Sequence, residues 1–500
     1  MDKRINEMMF EADISSIQAA MESGELSAAN CVRWYLERIE RLNPQLKAVL
    51  EVNPNAIANA EALDRERREH GSRGPLHGIP IVLKDNIDTG DRMHTSAGSI
   101  ALAKHHAPQD SFLAAQLRAA GTVFLGKANM TEWANYMSST MWAGYSSRGR
   151  LTLNPYGPGE LFVGGSSSGS GVAVAANLCA AAIGTETSGS IISPSSQNCL
   201  VGLKPTIGLV SRSGIIPITQ SQDSAGPMTR TVRDAAILLG AMTAVDSGDA
   251  SMLASERKAY TDYTRFLDSS GLHAARIGIP RQYYQGLDQA RLEIIERAVT
   301  LCKEFGATIV DPVSLPCESA TWDWDVMRYE FKKGLNDYLA KAGTGASVRT
   351  LDELIAFNEM NCDSALKYGQ DMLIWANETS GLLTEPEYME SLRLNREVAR
   401  NQGIDHAIRK YQLDALLFLG NEDGLDLSAR AGYPAITVPG GFAQTGVIAE
   451  GGYTTKGPQG ITFVSTAYSE PTLLRLAYAY EQASNYRFAP ENPVLGHQNF

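Results

Sequence analysis

The chain has 500 residues, of which 44% are hydrophobic and 20% charged, and its formal net charge is −12. This size and composition are ordinary for a globular enzyme built as one large α/β unit or as two to three average domains. The excess of acidic residues argues against a nucleic-acid partner and against binding to an anionic membrane.

The cysteines and histidines do not indicate a metal site or a disulfide framework. The six cysteines are scattered without Cys-x-x-Cys or Cys/His ligand spacing, and the histidines also lack ligand spacing. Residues 1–16 contain no apolar signal segment, and no other run reaches transmembrane length. We therefore expect a protein of the reducing cytoplasm that holds no metal.

Residues 1–70 predict three helices. Asp13 and Ser27 can cap the first two, and the third covers residues 55–70. Residues 71–245 then alternate apolar, β-prone runs with helical ones, which is typical of the core of an α/β protein.

Lys84 stands at the end of one of these runs. Residues 79–83 are apolar and predict a buried strand, and burying an ammonium group is costly unless the group is paired or neutral. Three interpretations remain open at this point. Lys84 snorkels from a strand edge, or Asp85 pairs with it and keeps it protonated, or burial leaves it neutral.

The second half of the chain differs between its two parts. Residues 314–380 are helical and rich in aromatic side chains, and they predict an insertion or cap over the sheet. Residues 381–500 predict a long helix over 386–411 and then further strands. No internal repeat is visible. Together these elements predict an α/β protein that forms a single unit (residues 1–500). Its large mixed, mostly parallel sheet is flanked by helices, and the second half of the chain carries a helical insertion.

The stretch 164–190 is the most unusual part of the sequence. Gly, Ala or Ser occupies 18 of its 27 positions, so backbones must approach each other or a substrate closely. Ser167 lies in a Gly-x-Ser-x-Gly pattern, but that nucleophile elbow requires a suitable histidine downstream. His273, His406 and His497 do not lie in segments suited to a catalytic base. A phosphate-binding loop and a dinucleotide fingerprint fail because their glycine and lysine patterns are missing.

A histidine-independent arrangement of serines and a lysine remains. A serine nucleophile needs an adjacent base, and a lysine can serve where burial keeps it neutral. Ser-Lys variants of the acyl-transfer triad occur on several folds. Residue types alone leave four hydroxyls open as the nucleophile: Ser166, Ser167, Ser188 and Ser190.

Three stretches, GPLHGIPIVLKDNID, GGSSSGSGVAVAA and GTETSGSIISPSSQNCLVGLKPT, together resemble the amidase signature family of Ser–cis-Ser–Lys hydrolases. The resemblance covers residues 11–242 continuously and the C-terminal strands more loosely. It implies that Ser190 is the nucleophile, that Ser166 is the bridging serine after a cis peptide bond, and that Lys84 is the base. It also implies an oxyanion hole made of backbone N–H groups, from Thr187, Ser188, Gly189 and Ser190.

The resemblance further implies the amidase signature fold, with residues 71–245 as its catalytic core, and hydrolysis of carboxamide C–N bonds without a cofactor. The substrate would be a small amide, an anilide or a peptide amide, and the protein a monomer or homodimer. Substrate contacts are implied at one segment that borders the pocket in relatives and at one aromatic residue, namely Ala134, Asn135, Tyr136 and Trp322. For any single aromatic side chain, core packing is the alternative interpretation.

The sequence departs from the family pattern at two positions, and these departures help to indicate which branch of the family it resembles. Ser188 stands where glycine is frequent, and Ile192 stands where an arginine is common. The missing arginine argues against the amidotransferases that act on glutamyl-tRNA, and residues 129–136 and 329–339 resemble the peptide-amidase and aryl-acylamidase branch. The alternatives are a catalytically silent binding protein on the same scaffold and an ammonia-supplying glutamine amidotransferase subunit.

Overall fold

The computed structural model describes residues 3–254, 258–420, 422, 424–449 and 452–491. The strands are β1 (Val49–Val52), β2 (Pro80–Lys84), β3 (Val123–Ala128), β4 (Tyr145–Ser146), β5 (Arg150–Leu151), β6 (Ala181–Glu186), β7 (Val201–Lys204), β8 (Ser224–Thr229), β9 (Arg276–Gly278), β10 (Thr308–Val310), β11 (Ala415–Leu419), β12 (Ala435–Ala443) and β13 (Gly457–Val464).

The helices flank these strands. They are α1 (Lys3–Met9), α2 (Ile14–Glu22), α3 (Ala28–Leu46), α4 (Ala56–His70), α5 (Phe112–Ala119), α6 (Ser168–Ala175), α7 (Ile192–Gln197), α8 (Val232–Met242), α9 (Gln289–Glu304), α10 (Asp325–Ala340), α11 (Leu351–Met360), α12 (Cys362–Ala365), α13 (Asp371–Asn377), α14 (Pro386–Ala399), α15 (Asp405–Tyr411), α16 (Asp426–Ala431) and α17 (Glu470–Ser484).

The expected N-terminal caps are present. The Asp13 carboxylate accepts the backbone N–H of Ser16 at 2.7 Å, and the Ser27 hydroxyl accepts that of Asn30 at 3.1 Å. Each cap satisfies a donor that the first helical turn leaves without a partner. The helix predicted over 386–411 is interrupted, because five residues between α14 and α15 form a π-helical turn.

One sheet of 11 strands runs through the fold in the order β1-β3-β2-β6-β8-β7-β12-β13-β11-β9-β10. The prediction of a large mixed sheet flanked by helices is confirmed. The expectation that the sheet is mostly parallel was wrong, because six of the ten neighbouring pairs among the described strands are antiparallel. Strands β7 and β8 are joined by residues 205–223, which contain no crossover helix, and such a connection favours antiparallel pairing.

The site is positioned by the parallel strands β2 and β6. Leu83 on β2 pairs with Ile183 on β6, so the carboxyl ends of both strands lie at the same edge of the sheet. Both strands are buried along their whole length. Ligands of α/β sheets bind beyond the carboxyl ends of such strands. Among the described residues, no helix is both long enough and apolar enough to cross a membrane.

Candidate active site

Lys84 is the last residue of β2 and is completely buried. Its Nζ donates hydrogen bonds to the Ser166 hydroxyl at 2.7 Å and to the Thr185 carbonyl oxygen at 3.0 Å. Burial lowers the pKa of Lys84 from 10.5 to about 7, while the charges of Asp223 and Glu186 act in the opposite direction. At neutral pH a large fraction of the amine is therefore neutral and able to accept a proton.

The structure decides between the three interpretations of this lysine. Complete burial excludes snorkelling to solvent. The Asp85 carboxylate faces away from Lys84, because it accepts the N–H of Gly98 at 2.9 Å and lies 3.5 Å from Arg148. Within the described residues, no carboxylate lies within ion-pair distance of Lys84. Burial that favours the neutral amine is the interpretation that remains.

Ser166 and Ser167 have different partners although they are neighbours. Ser166 follows a cis peptide bond with Gly165, as the resemblance implied, and its hydroxyl contacts Lys84. The Ser167 hydroxyl donates to the carbonyl oxygen of Thr185 at 3.0 Å and accepts the N–H of the same residue at 3.2 Å. Both hydrogen bonds of the Ser167 hydroxyl thus go to the backbone of β6. This argues against Ser167 as the nucleophile of a Gly-x-Ser-x-Gly elbow.

The small residues of this stretch allow close approach of backbones, as expected. A Cβ atom on Gly169 would overlap the carbonyl oxygens of Ala48 and Asn129. Only glycine fits at this position without a shift of the backbone. The Ser168 hydroxyl donates to the Gly164 carbonyl oxygen at 2.6 Å, so it too is used to fix the turn.

Ser190 lies at the other end of the stretch, beside the first turn. Its carbonyl oxygen accepts the N–H of Ser167 at 3.2 Å. This bond links the turn that contains Ser190 to the residue that follows Ser166. Ser190 retains 7% exposure, whereas Ser166 and Ser167 have none. The structure thus brings together Lys84 and Ser166 by side-chain contact, and it places Ser190 next to them through the backbone.

Residues 187–190 form a turn between β6 and α7. We call it the oxyanion turn, after the role that the family resemblance implies for it. Gly189 has a φ of 79°, a conformation that favours glycine. The Glu186 carboxylate accepts the N–H groups beyond the turn, from Ile191 at 2.6 Å and Ile192 at 2.9 Å. Among the described residues, the N–H groups of residues 187–190 donate to no backbone acceptor in the turns and loops, which leaves them available to a ligand.

The side chains of the oxyanion turn are anchored on two sides. The Thr187 hydroxyl donates to Asp223 at 2.6 Å, and the Ser188 hydroxyl donates to Asp426 on α16. Sequence reasoning assigned no role to either carboxylate. The stretch SRSGIIPITQSQDSAGPMTRTVRDAAILL, which contains Asp223, belongs to the same resemblance and was the available signal for one of them.

A cavity of about 890 Å³ adjoins the site. Its wall includes Thr185, Thr187 and residues of 212–223, together with parts of α10 and α14. A volume of this size suits a small organic ligand. Of the four predicted substrate contacts, Ala134 is part of this wall.

The other predicted contacts lie elsewhere. Tyr136 is buried and packs against Phe331 with ring centroids 4.6 Å apart, and Trp322 lies 4.7 Å from the Arg430 guanidinium. Asn135 is exposed. None of these three lines the cavity among the described residues, and their contact with substrate remains a prediction.

Residues 133–135 carry a feature that the sequence did not predict. Trp133, Ala134 and Asn135 have φ values of 49°, 55° and 74°, so three successive residues other than glycine are left-handed. Glu132–Asn135 form a 3₁₀ turn. Such a conformation costs about 1–2 kcal/mol per residue and is found where the surrounding structure enforces it, frequently at functional sites.

Three known proteins are similar to this chain over nearly its whole length. The native peptide amidase of Stenotrophomonas maltophilia, known from its X-ray structure, is 43% identical with a TM-score of 0.87, and the match covers 96% of this chain and 98% of that one. A probable amidase of Arabidopsis thaliana is 40% identical over 492 residues, or 96% of this chain and 91% of the relative.

The third protein, from Methylobacillus flagellatus, is one of the subunits of a glutamyl-tRNA(Gln) amidotransferase. It is 33% identical over 507 residues, which cover 96% of this chain and 98% of the relative. The model of the family described as Amidase matches residues 30–419, a range that contains Lys84, Ser166 and Ser190. With that match, and with relatives this similar over almost all of its length, the chain belongs to the amidase signature family.

Proposed function

We propose that this protein hydrolyses carboxamide C–N bonds of small amides, anilides or peptide amides through an acyl-enzyme on Ser190. One observation carries the proposal. The amine of Lys84 is buried, has a pKa of about 7 and lies 2.7 Å from the Ser166 hydroxyl, beside the turn that bears Ser190. This arrangement supplies a base for a serine nucleophile without a histidine.

The reaction begins with two proton transfers. Neutral Lys84 accepts the proton of the Ser166 hydroxyl, and Ser166 accepts the proton of the Ser190 hydroxyl. The Ser190 oxygen then forms a bond with the amide carbonyl carbon. The negative charge that develops on the carbonyl oxygen is stabilised by the N–H groups of residues 187–190, at roughly 3–4 kcal/mol per donor.

The C–N bond then breaks. The leaving amine receives the proton back through Ser166, and an ester of Ser190 remains. Water attacks this ester with Lys84 again acting as the base, which releases the carboxylic acid and restores the serine. No step requires a cofactor.

Peptide amides are the first substrates to test. The solved structure that is 43% identical to this chain is named as a peptide amidase. The cavity of about 890 Å³ beside Thr187 accommodates a group the size of one or two amino-acid residues.

We propose that residues 314–380, which contain α10 to α13, form a cap on this side of the 71–245 core, with residues 1–70 and 381–500 completing one unit.

The two alternative functions are less well supported. A role in a glutamine amidotransferase is favoured by the 33% identity with the relative from a glutamyl-tRNA(Gln) amidotransferase, but Ile192 stands where an arginine is common. A silent binding protein would have no use for a buried amine held against Ser166, since burial of that amine is costly. The cytoplasmic location and the monomeric or homodimeric state remain predictions.

The test is a hydrolysis panel with the purified full chain and a Ser190→Ala variant. The panel contains C-terminal peptide amides, anilides, glutamine and fatty amides, and product acids are measured by mass spectrometry. We expect the wild type to hydrolyse at least one of the first two classes and Ser190→Ala to lose about 10⁶-fold in kcat. Equal activity of the two proteins would refute the proposal, and exclusive glutaminase activity would favour the amidotransferase alternative.

A further inference from the structure

We propose that Asp223 is a positioning residue for this reaction, which fixes the oxyanion turn through Thr187 and sets a negative charge near Lys84. The inference rests on the proposed function and deepens it. Asp223 immediately precedes β8, which lies next to β6 in the sheet, and Ser224 on β8 pairs with Glu186 on β6. Asp223 therefore stands opposite the point where β6 continues into the oxyanion turn.

Four donors converge on the Asp223 carboxylate. One oxygen accepts the Thr187 hydroxyl at 2.6 Å and the Thr219 hydroxyl at 3.2 Å. The other oxygen accepts the N–H groups of Ile218 at 2.8 Å and Thr219 at 3.0 Å. The carboxylate thus joins the cavity wall at residues 218–219 to the first residue of the oxyanion turn, and charge-assisted bonds of this kind are stronger than neutral ones.

Thr187 is held from a second direction by the neighbouring residue. The Gln222 side-chain amide donates to the Thr187 carbonyl oxygen at 3.4 Å. The hydroxyl and the carbonyl oxygen of Thr187 are therefore both hydrogen-bonded by residues 222–223. A shift of Thr187 would displace the N–H groups that follow it, and misplacement by about 1 Å costs up to about 10²-fold in rate.

The charge of Asp223 also acts on the base. Asp223 and Glu186 are the two acidic groups that raise the pKa of Lys84 against the effect of burial. The Asp85 carboxylate, although adjacent in sequence, faces Arg148. Without the Asp223 charge, the pKa of Lys84 is expected to fall further, so that the amine becomes neutral at a lower pH.

Two variants separate the hydrogen bond from the charge. Asp223→Asn keeps the shape and removes the charge, whereas Thr187→Val keeps the charge and removes the hydroxyl donor. We expect both to lower kcat by about 10- to 100-fold with little change in KM. Only Asp223→Asn should also move the acid limb of the pH profile of kcat/KM, and the shift should be to lower pH. Thr187→Ser, which restores the hydroxyl, should recover most of the kcat that Thr187→Val loses.

A wild-type kcat in Thr187→Val would overturn the positioning role, and an unmoved acid limb in Asp223→Asn would overturn the role of the charge. Circular dichroism and melting temperature establish that each variant folds. If Asp223→Asn does not fold, the kcat values of Thr187→Val and Thr187→Ser decide the inference. Failure of the proposed function would look different, because the wild type would then hydrolyse no amide or would not depend on Ser190.

Discussion

Lys84 at the end of β2 and Lys204 at the end of β7 have similar surroundings and different partners. Both are completely buried, and burial lowers their pKa values to about 7 and about 8. The Lys204 amine donates to the carbonyl oxygens of Tyr433 at 2.7 Å and Pro205 at 3.4 Å. The Lys84 amine contacts a hydroxyl as well as a carbonyl.

The partner decides what each lysine is able to do. A backbone carbonyl accepts a hydrogen bond but carries no proton that it can pass on, whereas a serine hydroxyl both accepts and donates. Burial and a lowered pKa therefore do not identify a catalytic lysine by themselves. The hydroxyl at 2.7 Å is what distinguishes Lys84 from Lys204.

The largest difference is expected from replacing each lysine with methionine. Lys84→Met removes the proposed base, so kcat should fall by about 10²–10⁴-fold. Among the described residues, the Lys204 amine donates only to backbone oxygens, so Lys204→Met should leave kcat close to the wild-type value. Steady-state hydrolysis of the best substrate, with circular dichroism as the folding control, measures both. A large loss of kcat in folded Lys204→Met would break the comparison.

The adjacent serines provide a second contrast. Ser166→Ala interrupts the proposed proton path and should lower kcat on the order of 10²-fold. Ser167→Ala should chiefly affect stability, because it leaves the buried N–H of Thr185 without its acceptor, at about 1–3 kcal/mol. Chemical denaturation and kcat are measured for both variants. If Ser167→Ala lowered kcat and Ser166→Ala lowered only the stability, the proton path would run through the Ser167 hydroxyl.

The pH dependence gives a smaller effect with a defined sign. The lowered pKa of Lys84 leaves the amine neutral above about pH 7 and protonated below it. The value of kcat/KM should therefore rise with pH through about 7, with a tenfold change per unit on the acid limb, and then level off. A limb near 10.5, the ordinary value of a lysine, would contradict a buried neutral base.

The smallest effect is expected at Ser188, where the family frequently has glycine. Ser188→Ala removes one hydrogen bond to Asp426, a loss of about 0.5–1.5 kcal/mol in the free energy of unfolding. Asp426→Asn serves as the matched change on the partner side. Activity should persist in both variants. Abolition of activity in Ser188→Ala would indicate that Ser188, rather than Ser190, is the nucleophile.

The fold was predictable where strands are apolar runs. The apolar run at 79–83 corresponds to β2. Strand β8 was missed because its sequence, SAGPMT, contains glycine and proline, which are rare in strand interiors. Its neighbours β6 and β7 supply the pairing that its own residues do not predict.

The same omission limited what could be predicted of the site. Lys84, Ser166 and Ser190 follow from motifs that resemble those of a known family, and their positions in the motif need no tertiary structure. The contact between Thr187 and Asp223 depends on the antiparallel pairing of β6 with β8. Without β8, nothing in the sequence places these two side chains together.

The most direct test of the account is the rate at which a fluorophosphonate labels the protein, followed by intact mass and peptide mapping. We expect one adduct, on Ser190, in the wild type and in Lys204→Met at similar rates, and labelling slowed by about 10²-fold or more in Lys84→Met. An adduct on a different serine, or equal rates in Lys84→Met and the wild type, would contradict the claim that buried Lys84 activates Ser190.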